Sequence, residues 1–542
     1  MTIATLDDAA LARNRLAREK GLAAMAAVKP AAGAVIRYAS RGRVAVIGDM
    51  RALEFAPRLL GNLQPLVILT EGVEEPGVPL IPLGGRDLEL EGHLGDFTLN
   101  LGARGTPGFE RVRVDLVLDL QPEPLLDMPL PPPGYLRSNL EEPALAAAIV
   151  ELQSLTGTFE KPRFFDYDPS LCAHQRSGKT ACTNCIDACP AEAIRSIVDA
   201  VQVDADRCQG GGICATACPS GAIRYRWPRA EESLEQVKRL LSGYLQAGGM
   251  DPVLVVMEAE LAGAADLPPN HLPFPVEELA SLGLEFWFGA LAHGARRVVL
   301  YESSPLPERV DSALEVQLAT GRRILEALGY PAGVLQRVPA DSSLERETVA
   351  AMPELEPARY APMGGKRQLF YLALDHLQKH APRPRPLATL EAGAPFGTVI
   401  LDGRRCTLCK ACVGACPGHA LQVPAQEPAL QFLEANCLQC GMCTRTCPED
   451  AIAISPRLLL DADKRNRVRE LHREEPFHCI ECGKAFATRS VVNRMQQALK
   501  GHWMFQDERA RRRLEMCDQC RVADIALDPE AMERAGGIRL DH

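Results

Sequence analysis

The feature that most constrains this chain is a segment of eight cysteines between Cys406 and Cys447, arranged as two successive C-x2-C-x2-C-x3-C-P motifs. This spacing is typical of [4Fe–4S] clusters, because three cysteines at every third position wind a loop around one cluster. The fourth cysteine, which precedes proline, ligates the cluster of the other motif. The motifs therefore predict two crossed ligand sets. The first set is Cys406, Cys409, Cys412 and Cys447, and the second is Cys437, Cys440, Cys443 and Cys416.

All 19 cysteines of the chain fall in three groups, within residues 172–218, 406–447 and 479–520. A disulfide framework would need an oxidising compartment, and zinc sites rarely show an eight-cysteine crossed pattern. The N-terminus lacks the apolar segment of a secretory signal, and no apolar run reaches the length of a membrane span. We therefore expect a soluble cytoplasmic protein whose cysteines bind metal. The net charge of −10 argues against a nucleic-acid partner.

The first cysteine group is an altered copy of the second. Its four-residue continuations match, because the four Cys-Pro pairs of the chain read C-P-A-E-A-I, C-P-S-G-A-I, C-P-G-H-A-L and C-P-E-D-A-I. We interpret them as internal repeats in which the Ala-Ile or Ala-Leu pair begins a strand beneath the clusters.

One ligand of the first group lies unusually far upstream. Lys179 stands where the motif requires a cysteine, and Cys172 can reach the same position through a longer loop. His174 is a competing ligand, although a solvent-facing or hydrogen-bonded role is favoured for it. The predicted ligand set is Cys172, Cys182, Cys185 and Cys218.

Another ligand is missing altogether. In C-Q-G-G-G-I-C, Gly211 occupies the middle ligand position, which leaves Cys208, Cys214 and Cys189. Three thiolates still fix three corners, so we expect a [3Fe–4S] cluster or a labile [4Fe–4S] cluster whose fourth iron takes water, hydroxide or a small molecule. Alternatively, the glycines let the loop collapse and the site stays empty. In total, three [4Fe–4S] clusters and one incomplete cluster are predicted.

The last four cysteines form two C-x2-C pairs, Cys479 with Cys482 and Cys517 with Cys520. The first pair opens like a C2H2 finger, but His502 stands alone where two histidines are needed. Two such pairs bind one tetrahedral metal ion. We expect structural Zn2+ as the first choice and a rubredoxin-like iron as the second, in a zinc-ribbon-like module.

Between the cysteine groups, strands and helices alternate as in Rossmann-like or flavodoxin-like α/β domains. We therefore expect a multidomain α/β and α+β protein in which two dicluster bacterial-ferredoxin modules are interleaved with two α/β domains. Neither α/β domain has a phosphate-binding glycine fingerprint or a defensible carboxylate pair, so no catalytic residue is predicted. The predicted divisions are an N-terminal helix and linker (1–40), an α/β domain (41–163), ferredoxin module 1 (164–228), a second α/β domain (229–345), a Pro-rich connector (346–395), ferredoxin module 2 (396–457) and a helix with the four-cysteine metal module (458–542).

Several motifs together resemble one family. P-P-P-G-Y, F-F-D-Y-D-P-S-L-C-A-H-Q-R-S-G, the two ferredoxin modules and the terminal C-x-x-C-G-K-A-F…C-x-x-C are similar to large multi-cluster ferredoxin-like proteins found alongside bacterial formate dehydrogenases. Residues 250–340 also resemble a domain of the iron–sulfur subunits of some hydrogenases and heterodisulfide reductases, which usually carries cysteines that this chain lacks. The family also tends to have a cysteine in place of Gly211. The resemblance implies electron carriage for a molybdenum-type or tungsten-type formate enzyme.

The sequence thus predicts an electron-transfer protein that relays single electrons between a cytoplasmic redox enzyme and a carrier. Redox proteins are the expected partners, with a formate dehydrogenase among them by resemblance. The alternative is an assembly or maturation factor for a metal-dependent redox enzyme. A third hypothesis places catalysis at the open iron of the incomplete cluster.

Overall fold

The computed structural model describes residues 8–31, 33–72, 78–139, 141–176, 178–198, 200–263, 266–339, 351–424 and 427–528. They belong to two units that are interleaved in the sequence. Unit 1 consists of Met1–Pro169, Thr183–Arg322 and Tyr330–His380, and unit 2 consists of Ser170–Cys182, Arg323–Gly329 and Ala381–His542. No helix within the described ranges is long and apolar enough to cross a membrane.

The first sheet of unit 1 is parallel and is buried on both faces. Its strands lie in the order Leu80–Pro82, Gln64–Leu69, Arg43–Gly48, Leu116–Asp119 and Tyr135–Arg137. One face packs against two helices, Met50–Phe55 and Glu142–Ser154. The other face packs against an antiparallel sheet of the strands Leu88–His93, Asp96–Leu101 and Glu110–Val114. A doubly wound fold has helices on both faces of its sheet. The predicted α/β domain differs from that fold because an antiparallel sheet replaces the helices on one face.

The second sheet of unit 1 has four parallel strands, in the order His271–Val276, Val253–Glu258, Arg297–Glu302 and Leu335–Pro339. The residues of Val253–Glu258 are almost all buried, as expected for a central parallel strand. The aromatic residues of Leu284–Ala292, among them Trp287, are fully buried. The other helices of this region are Ala230–Gln246, Ala259–Ala262, Glu308–Leu328 and Lys366–Lys379.

Part of this region differs from the sequence expectation. The sequence predicts one helix from Val276 to about His293, but the helix begins only at Leu284. Val276 instead ends the strand His271–Val276, where it pairs with Glu258, and the extended backbones of Leu282 and Gly283 separate the short turn Leu279–Ser281 from the helix. The strand contains two prolines. Because this strand lies at the edge of its sheet, it tolerates residues that lack a backbone N–H.

The N-terminal helix of unit 1, Asp8–Ala26, packs against Ala230–Gln246. Gly21 and Gly243 face each other where the two helices meet, and a Cβ added to Gly243 would lie 3.2 Å from Gly21 Cα. A Cβ added to Gly21 would lie 2.7 Å from the carbonyl oxygen of Leu240, so a larger residue would force the helices apart. The smaller strands of unit 1 form antiparallel pairs, Val35–Ser40 with Gly157–Pro162, Phe165–Tyr167 with Ile223–Tyr225, and Ile194–Ile197 with Ala200–Val203.

Every Cys-Pro repeat has the same local structure. A five-residue helix precedes each Cys-Pro pair, and the helices are Asn184–Ala188, Ile213–Ala217, Ala411–Ala415 and Met442–Thr446. A strand begins at the Ile or Leu of each continuation, and the strands are Ile194–Ile197, Ile223–Tyr225, Leu421–Gln422 and Ile452–Leu459. The prediction that these residues begin strands is therefore confirmed in all four repeats.

Unit 2 is built from small sheets and short helices. One antiparallel sheet consists of the strands Leu387–Thr389, Ile452–Leu459 and Gly397–Leu401, and a second consists of Leu421–Gln422, Ala429–Phe432 and Arg469–Arg473. Two further antiparallel pairs are Pro476–His478 with Ala485–Thr488 and Gln175–Arg176 with Lys179–Thr180. Its other helices are Ala462–Arg465, Arg489–Leu499, Glu508–Arg512 and Asp518–Ala526.

The sequence predicts a basic helix from Pro456 to about Arg473, and this prediction is wrong. Ile452–Leu459 extends as a strand paired on both sides, Ala462–Arg465 is a single helical turn, and Arg469–Arg473 pairs with Ala429–Phe432. Tertiary pairing here overrides the helical propensity of the Arg- and Lys-rich segment.

A buried carboxylate stabilises the first sheet of unit 1. The side chain of Asp115 is only 1% exposed, and its oxygens accept hydrogen bonds from the backbone N–H groups of Arg41 and Arg43. The Arg43 guanidinium lies 2.5 Å from Asp115 Oδ1. Burial acts to raise the pKa of Asp115, but the hydrogen bonds from Arg43 and Arg41 outweigh it, and the pKa is lowered.

We predict that Asp115→Ala lowers the free energy of unfolding of this region by about 2–4 kcal/mol at pH 7, because Arg43 and two backbone N–H groups lose their acceptor. The lowered pKa means that this contribution is present above about pH 4 and is lost as the pH falls through the pKa of the folded state. Calorimetric unfolding should therefore show that the difference in free energy of unfolding between the wild type and Asp115→Ala decreases below about pH 4. Arg37→Ala, which removes an exposed ion pair with Glu160, is the control and should cost at most about 1 kcal/mol. A comparable loss in both variants would contradict the prediction.

Candidate iron–sulfur and metal centres

The cysteine loops of unit 2 share an unusual backbone conformation. In the first loop Leu408 and Lys410 have φ angles of 55° and 65°, and in the second Gln439 and Gly441 have φ angles of 54° and 75°. Non-glycine residues in this left-handed region cost about 1–2 kcal/mol each, and such strain persists where the surrounding structure requires it. In both loops the left-handed residues lie directly before and after the middle cysteine, so the two loops have the same backbone conformation around that ligand.

The first predicted ligand set of unit 2 lines one small apolar cavity. Its walls contain Cys406, Cys409, Cys412 and Cys447. Burial raises the pKa of the Cys412 thiol to about 12, and the charges of Cys409, Cys406 and Cys447 add to this effect. The backbone N–H of Ala451 donates a hydrogen bond to Cys447 Sγ at 3.3 Å. A group of four thiols at one cavity, with an amide directed at sulfur, is a donor set that fits an iron–sulfur cluster.

The second predicted set of unit 2 forms an equivalent group. Burial raises the pKa of the Cys440 thiol to about 11, with further contributions from the charges of Cys416 and Cys437. Burial likewise raises the pKa of Cys443, followed by the charges of Cys437, Cys440, Cys416 and, from the first set, Cys412. The backbone N–H of Ala420 donates to Cys416 Sγ at 3.3 Å. The two groups are therefore neighbours, and each contains the Cys-Pro cysteine of the other motif.

The entrance to the second loop is fixed by a buried carboxylate. Glu434 is 4% exposed, and its oxygens accept hydrogen bonds from Arg457 at 2.8 and 2.9 Å and from Arg469 at 2.9 Å. Its backbone carbonyl accepts the N–H of Cys437 at 3.0 Å. Sequence reasoning missed this residue because both arginines come from strands beyond the motif.

The three-cysteine group lies in unit 1. Burial raises the pKa of the Cys214 thiol, and the charges of Cys208 and Cys189 add to this effect. Gly210 and Gly212 have φ angles of 89° and 69°, the same left-handed alternation as in the cysteine-bearing loops. The loop thus keeps a ligand-loop conformation around the position that lacks a cysteine.

The three glycines of this loop, Gly210 to Gly212, differ in the space that is available for a side chain. A Cβ at Gly210 would lie 2.9 Å from the Phe164 ring, and one at Gly212 would lie 2.4 Å from Ser281. A Cβ at Gly211 would meet no atom within 4 Å in the described structure. The two flanking positions therefore require glycine, whereas the missing ligand position is open.

A lysine that sequence reasoning missed lies beside this group. Lys161 Nζ donates hydrogen bonds to the carbonyl oxygens of Asp206 and Cys208, both at 2.7 Å, and lies 5.0 Å from the centroid of the Tyr38 ring. Burial lowers the pKa of Lys161, whereas the charges of Cys208 and Asp206 oppose that shift. Nothing in the local sequence indicates this role, because Lys161 is remote from the cysteine motif.

The remaining predicted set is divided between the two units. Cys185 and Cys218 are buried in unit 1, whereas Cys172 and Cys182 belong to the segment Ser170–Cys182 of unit 2. Their assignment to one cluster stays a prediction. His174 is 2% exposed, and its Nδ1 donates to the backbone carbonyl of Cys182 at 2.8 Å, which is the hydrogen-bonded role expected for it.

The last four cysteines form a compact group in unit 2. The ligand atoms of Cys479, Cys482, Cys517 and Cys520 all lie within 4.8 Å of one another. The Sγ atoms of Cys482 and Cys517 are 3.7 Å apart, close to the roughly 3.8 Å that a tetrahedron with metal–sulfur bonds of about 2.3 Å requires. The chain thus presents a four-cysteine site able to bind a metal ion.

Backbone hydrogen bonds favour the thiolate form of one of these cysteines, which is the form that binds metal. Burial acts to raise the pKa of Cys479, but hydrogen bonds from the backbone N–H groups of Cys482, Cys517 and Glu481 outweigh it and lower the pKa to about 6. Gly483, with a φ angle of 73°, closes the turn by donating its N–H to the carbonyl oxygen of Cys479 at 2.9 Å.

Two segments of the chain match protein-family models. Residues 405–451 match a 4Fe-4S dicluster domain, and residues 201–224 match a 4Fe-4S binding domain. The chain contains two ferredoxin-type iron–sulfur domains. These domains and the grouped cysteines support iron–sulfur clusters as cofactors, and electron transfer as the general function. No curated protein matches the chain.

We predict that Cys482→Ser weakens metal binding at the four-cysteine site by more than about 100-fold, since changes beyond the direct ligands already cost about 10–100-fold. Co2+ titration followed by thiolate-to-metal absorption measures the affinity. Binding should strengthen from pH 6 to pH 8, because thiols of raised pKa, such as Cys520 at about 12, must lose protons to the solvent. The control is His502→Ala, which changes the lone histidine of the finger-like pattern and should leave the affinity unchanged. Equal losses in the two variants would exclude a site formed by the four cysteines.

Proposed function

We propose that the protein relays single electrons between a redox enzyme and a carrier through iron–sulfur clusters held by its first fifteen cysteines. The observation that carries this proposal is the neighbouring arrangement of the two thiol groups in unit 2. Cys443 is influenced by the charges of Cys416, from the other motif, and of Cys412, from the other group. Two adjacent clusters give an electron a short path, which a single isolated centre does not provide.

The proposed cofactors are three [4Fe–4S] clusters, one [3Fe–4S] or labile [4Fe–4S] cluster, and Zn2+ or iron at the four-cysteine site. When bound, the clusters supply the one-electron redox chemistry. The chain's own groups set the potential through hydrogen bonds to sulfur, burial and nearby charge. Ala420 and Ala451 provide such amides in unit 2, and Lys161 provides a cation beside Cys208 in unit 1.

A formate dehydrogenase is our proposed partner enzyme, and the cytoplasm is the proposed compartment. The partner rests on the motif resemblance, and the compartment rests on the use of cysteines as ligands rather than in disulfides. The α/β region at 250–340 is the proposed docking element, because it resembles a domain of iron–sulfur subunits but contains no cysteine to hold a cluster of its own.

We predict that the anaerobically purified chain contains about 15 iron atoms and one zinc ion, which corresponds to three [4Fe–4S] clusters and one [3Fe–4S] cluster. In a redox titration followed by electron paramagnetic resonance, the clusters should be reduced and reoxidised by the partner within its turnover time. The double variant Cys440→Ser and Cys443→Ser should remove about four iron atoms and slow electron delivery. If the partner enzyme instead gains activity without any cycling of these signals, the protein is a maturation factor.

We further predict that Gly211→Cys converts the incomplete site into a complete one. The added side chain has room, and the loop already has the conformation of its cysteine-bearing counterparts. The iron content should rise by about one atom per chain, and the signal of an oxidised [3Fe–4S] cluster should give way to that of a reduced [4Fe–4S] cluster. Gly211→Ala fills the same space without sulfur and should keep the wild-type signal. A cysteine variant with unchanged iron content and spectrum would contradict a cluster at this position.

A further inference from the structure

A second feature of unit 1 lies next to the three-cysteine loop. A cavity of about 280 Å3 is lined by residues that include Ala215, directly after Cys214, and Ser281, which lies against Gly212. At about 30 Å3 per water molecule, this volume corresponds to about nine water molecules, which is room for a small organic ligand. The apolar part of the wall consists of Ile223, Leu282, Phe286 and Leu369.

Two polar groups in the cavity wall are buried without a partner. Glu285 and Tyr225 are 8% and 9% exposed, and neither Glu285 Oε2 nor the Tyr225 hydroxyl has a hydrogen-bond partner among the described residues. An unpaired buried polar group costs about 1–3 kcal/mol, more if it is charged, so a ligand that pairs with it gains affinity. A positively charged donor is the strongest complement to a buried carboxylate.

The surroundings of Tyr225 reinforce this acidic side. Burial raises the pKa of Tyr225, and the carboxylates of Glu278 and Glu277 add to the shift. Asp166, also in the wall, is already paired with Arg226 at 3.0 Å. Glu285 is thus the buried carboxylate of the wall that is left to meet a cation.

The cavity also has a side that suits an anion. The helix Ala230–Gln246 begins in its wall, but its first turn carries Glu231, which also lines the cavity, and Glu232, whose carboxylate accepts the backbone N–H of Arg229 at 2.9 Å. That helix end therefore already has negative charge beside it, and the side that suits an anion is formed by cationic side chains. Arg224 and Arg229 line the cavity, are exposed at its rim, and form no ion pair within the part of the chain that the structure describes.

A lysine adds to this positive side. Lys366 Nζ donates to the carbonyl oxygens of Ala215 and Thr216 at 2.7 and 2.6 Å. An ammonium group has three N–H donors, so one remains for a ligand. The same contacts tie the cavity wall to the helix that carries Cys214.

We propose that this cavity binds a free aliphatic α-amino acid. The carboxylate of the amino acid pairs with Lys366, Arg224 and Arg229, its ammonium group donates to Glu285, and its side chain packs on the apolar wall. The site combines a negative and a positive side around a small apolar volume, which a simple anion or cation would complement only in part. This binding site goes beyond electron transfer and does not depend on the content of the neighbouring cluster.

The first test uses L-leucine as the probe, measured by isothermal titration calorimetry on the anaerobic full-length protein. Leucine has nine non-hydrogen atoms. 4-Methylpentanoate lacks only the ammonium group, and 3-methylbutylamine lacks only the carboxylate. We expect saturable binding of leucine, and binding of each analogue weaker by about tenfold or more, because each leaves a charged wall group unpaired. Absence of saturable leucine binding, or equal binding of all three, would overturn the proposal.

The second test asks whether the named side chains recognise the amino acid. Glu285→Gln should weaken leucine binding by about tenfold, because only leucine has an ammonium group to pair, and should not weaken 4-methylpentanoate binding, because that anion no longer faces an unpaired buried carboxylate. Tyr225→Phe should also weaken leucine binding, while its melting temperature without ligand stays equal or rises. Tyr330→Phe removes a hydroxyl that donates to Leu377 outside the cavity wall, and it should bind leucine as the wild type does.

The outcomes separate recognition from folding. If Glu285→Gln lowers the affinities for leucine and 4-methylpentanoate by the same factor, or lowers neither, the assignment of Glu285 is wrong. If Glu285→Gln fails to fold, Tyr225→Phe decides the question, and unchanged leucine affinity in that variant overturns the proposal. Because the readout is the heat of binding without any redox step, failure here leaves the electron-transfer proposal standing, and the reverse also holds.

Discussion

The structure of this protein depends on gathering thiols that would repel one another as anions. Burial raises the pKa of Cys412 and Cys440, and neighbouring cysteines add to the shift in each case. Thiolates in such a place need a compensating positive charge, which an iron–sulfur cluster or a metal ion provides. Folding of the loops and binding of the cofactors are therefore coupled, as they are in small metal-dependent domains.

The rest of the fold holds the loops that carry these thiols. In unit 2, Arg457 and Arg469 bind the carboxylate of Glu434, whose backbone carbonyl holds Cys437. In unit 1, Lys161 binds the carbonyl oxygen of Cys208, and Lys366 binds two carbonyl oxygens of the helix that contains Cys214. Both units thus use long cationic side chains from other elements to fix backbone groups beside the cysteines. The left-handed residues in the loops need this external support, because their conformation is unfavourable by itself.

Much of the cysteine chemistry could be predicted from the sequence, because ligand spacing is a local property. The strand starts after each Cys-Pro pair followed from the repeated continuations for the same reason. The helix expected from Val276 failed because Val276 pairs with Glu258 as the last residue of an edge strand, and the chain is extended again at Leu282 and Gly283. The helix expected beyond Pro456 failed because strand partners distant in sequence decide the structure there. The positions of Lys161, Glu434 and Glu285 could not be predicted, since each acquires its surroundings only when remote segments meet.

The interleaving of the two units affects how the chain is made. Ser170–Cys182 belongs to unit 2 but precedes Ala381, where most of that unit begins, by about 200 residues. At a synthesis rate of roughly 5–20 residues per second, this segment waits on the order of ten seconds or longer on the ribosome for the rest of its unit. During that interval the thiols of Cys172 and Cys182 are present before the rest of unit 2 has been synthesised. The folded unit therefore cannot protect them from oxidation or from binding another metal ion, and the reducing conditions of the cell must do so.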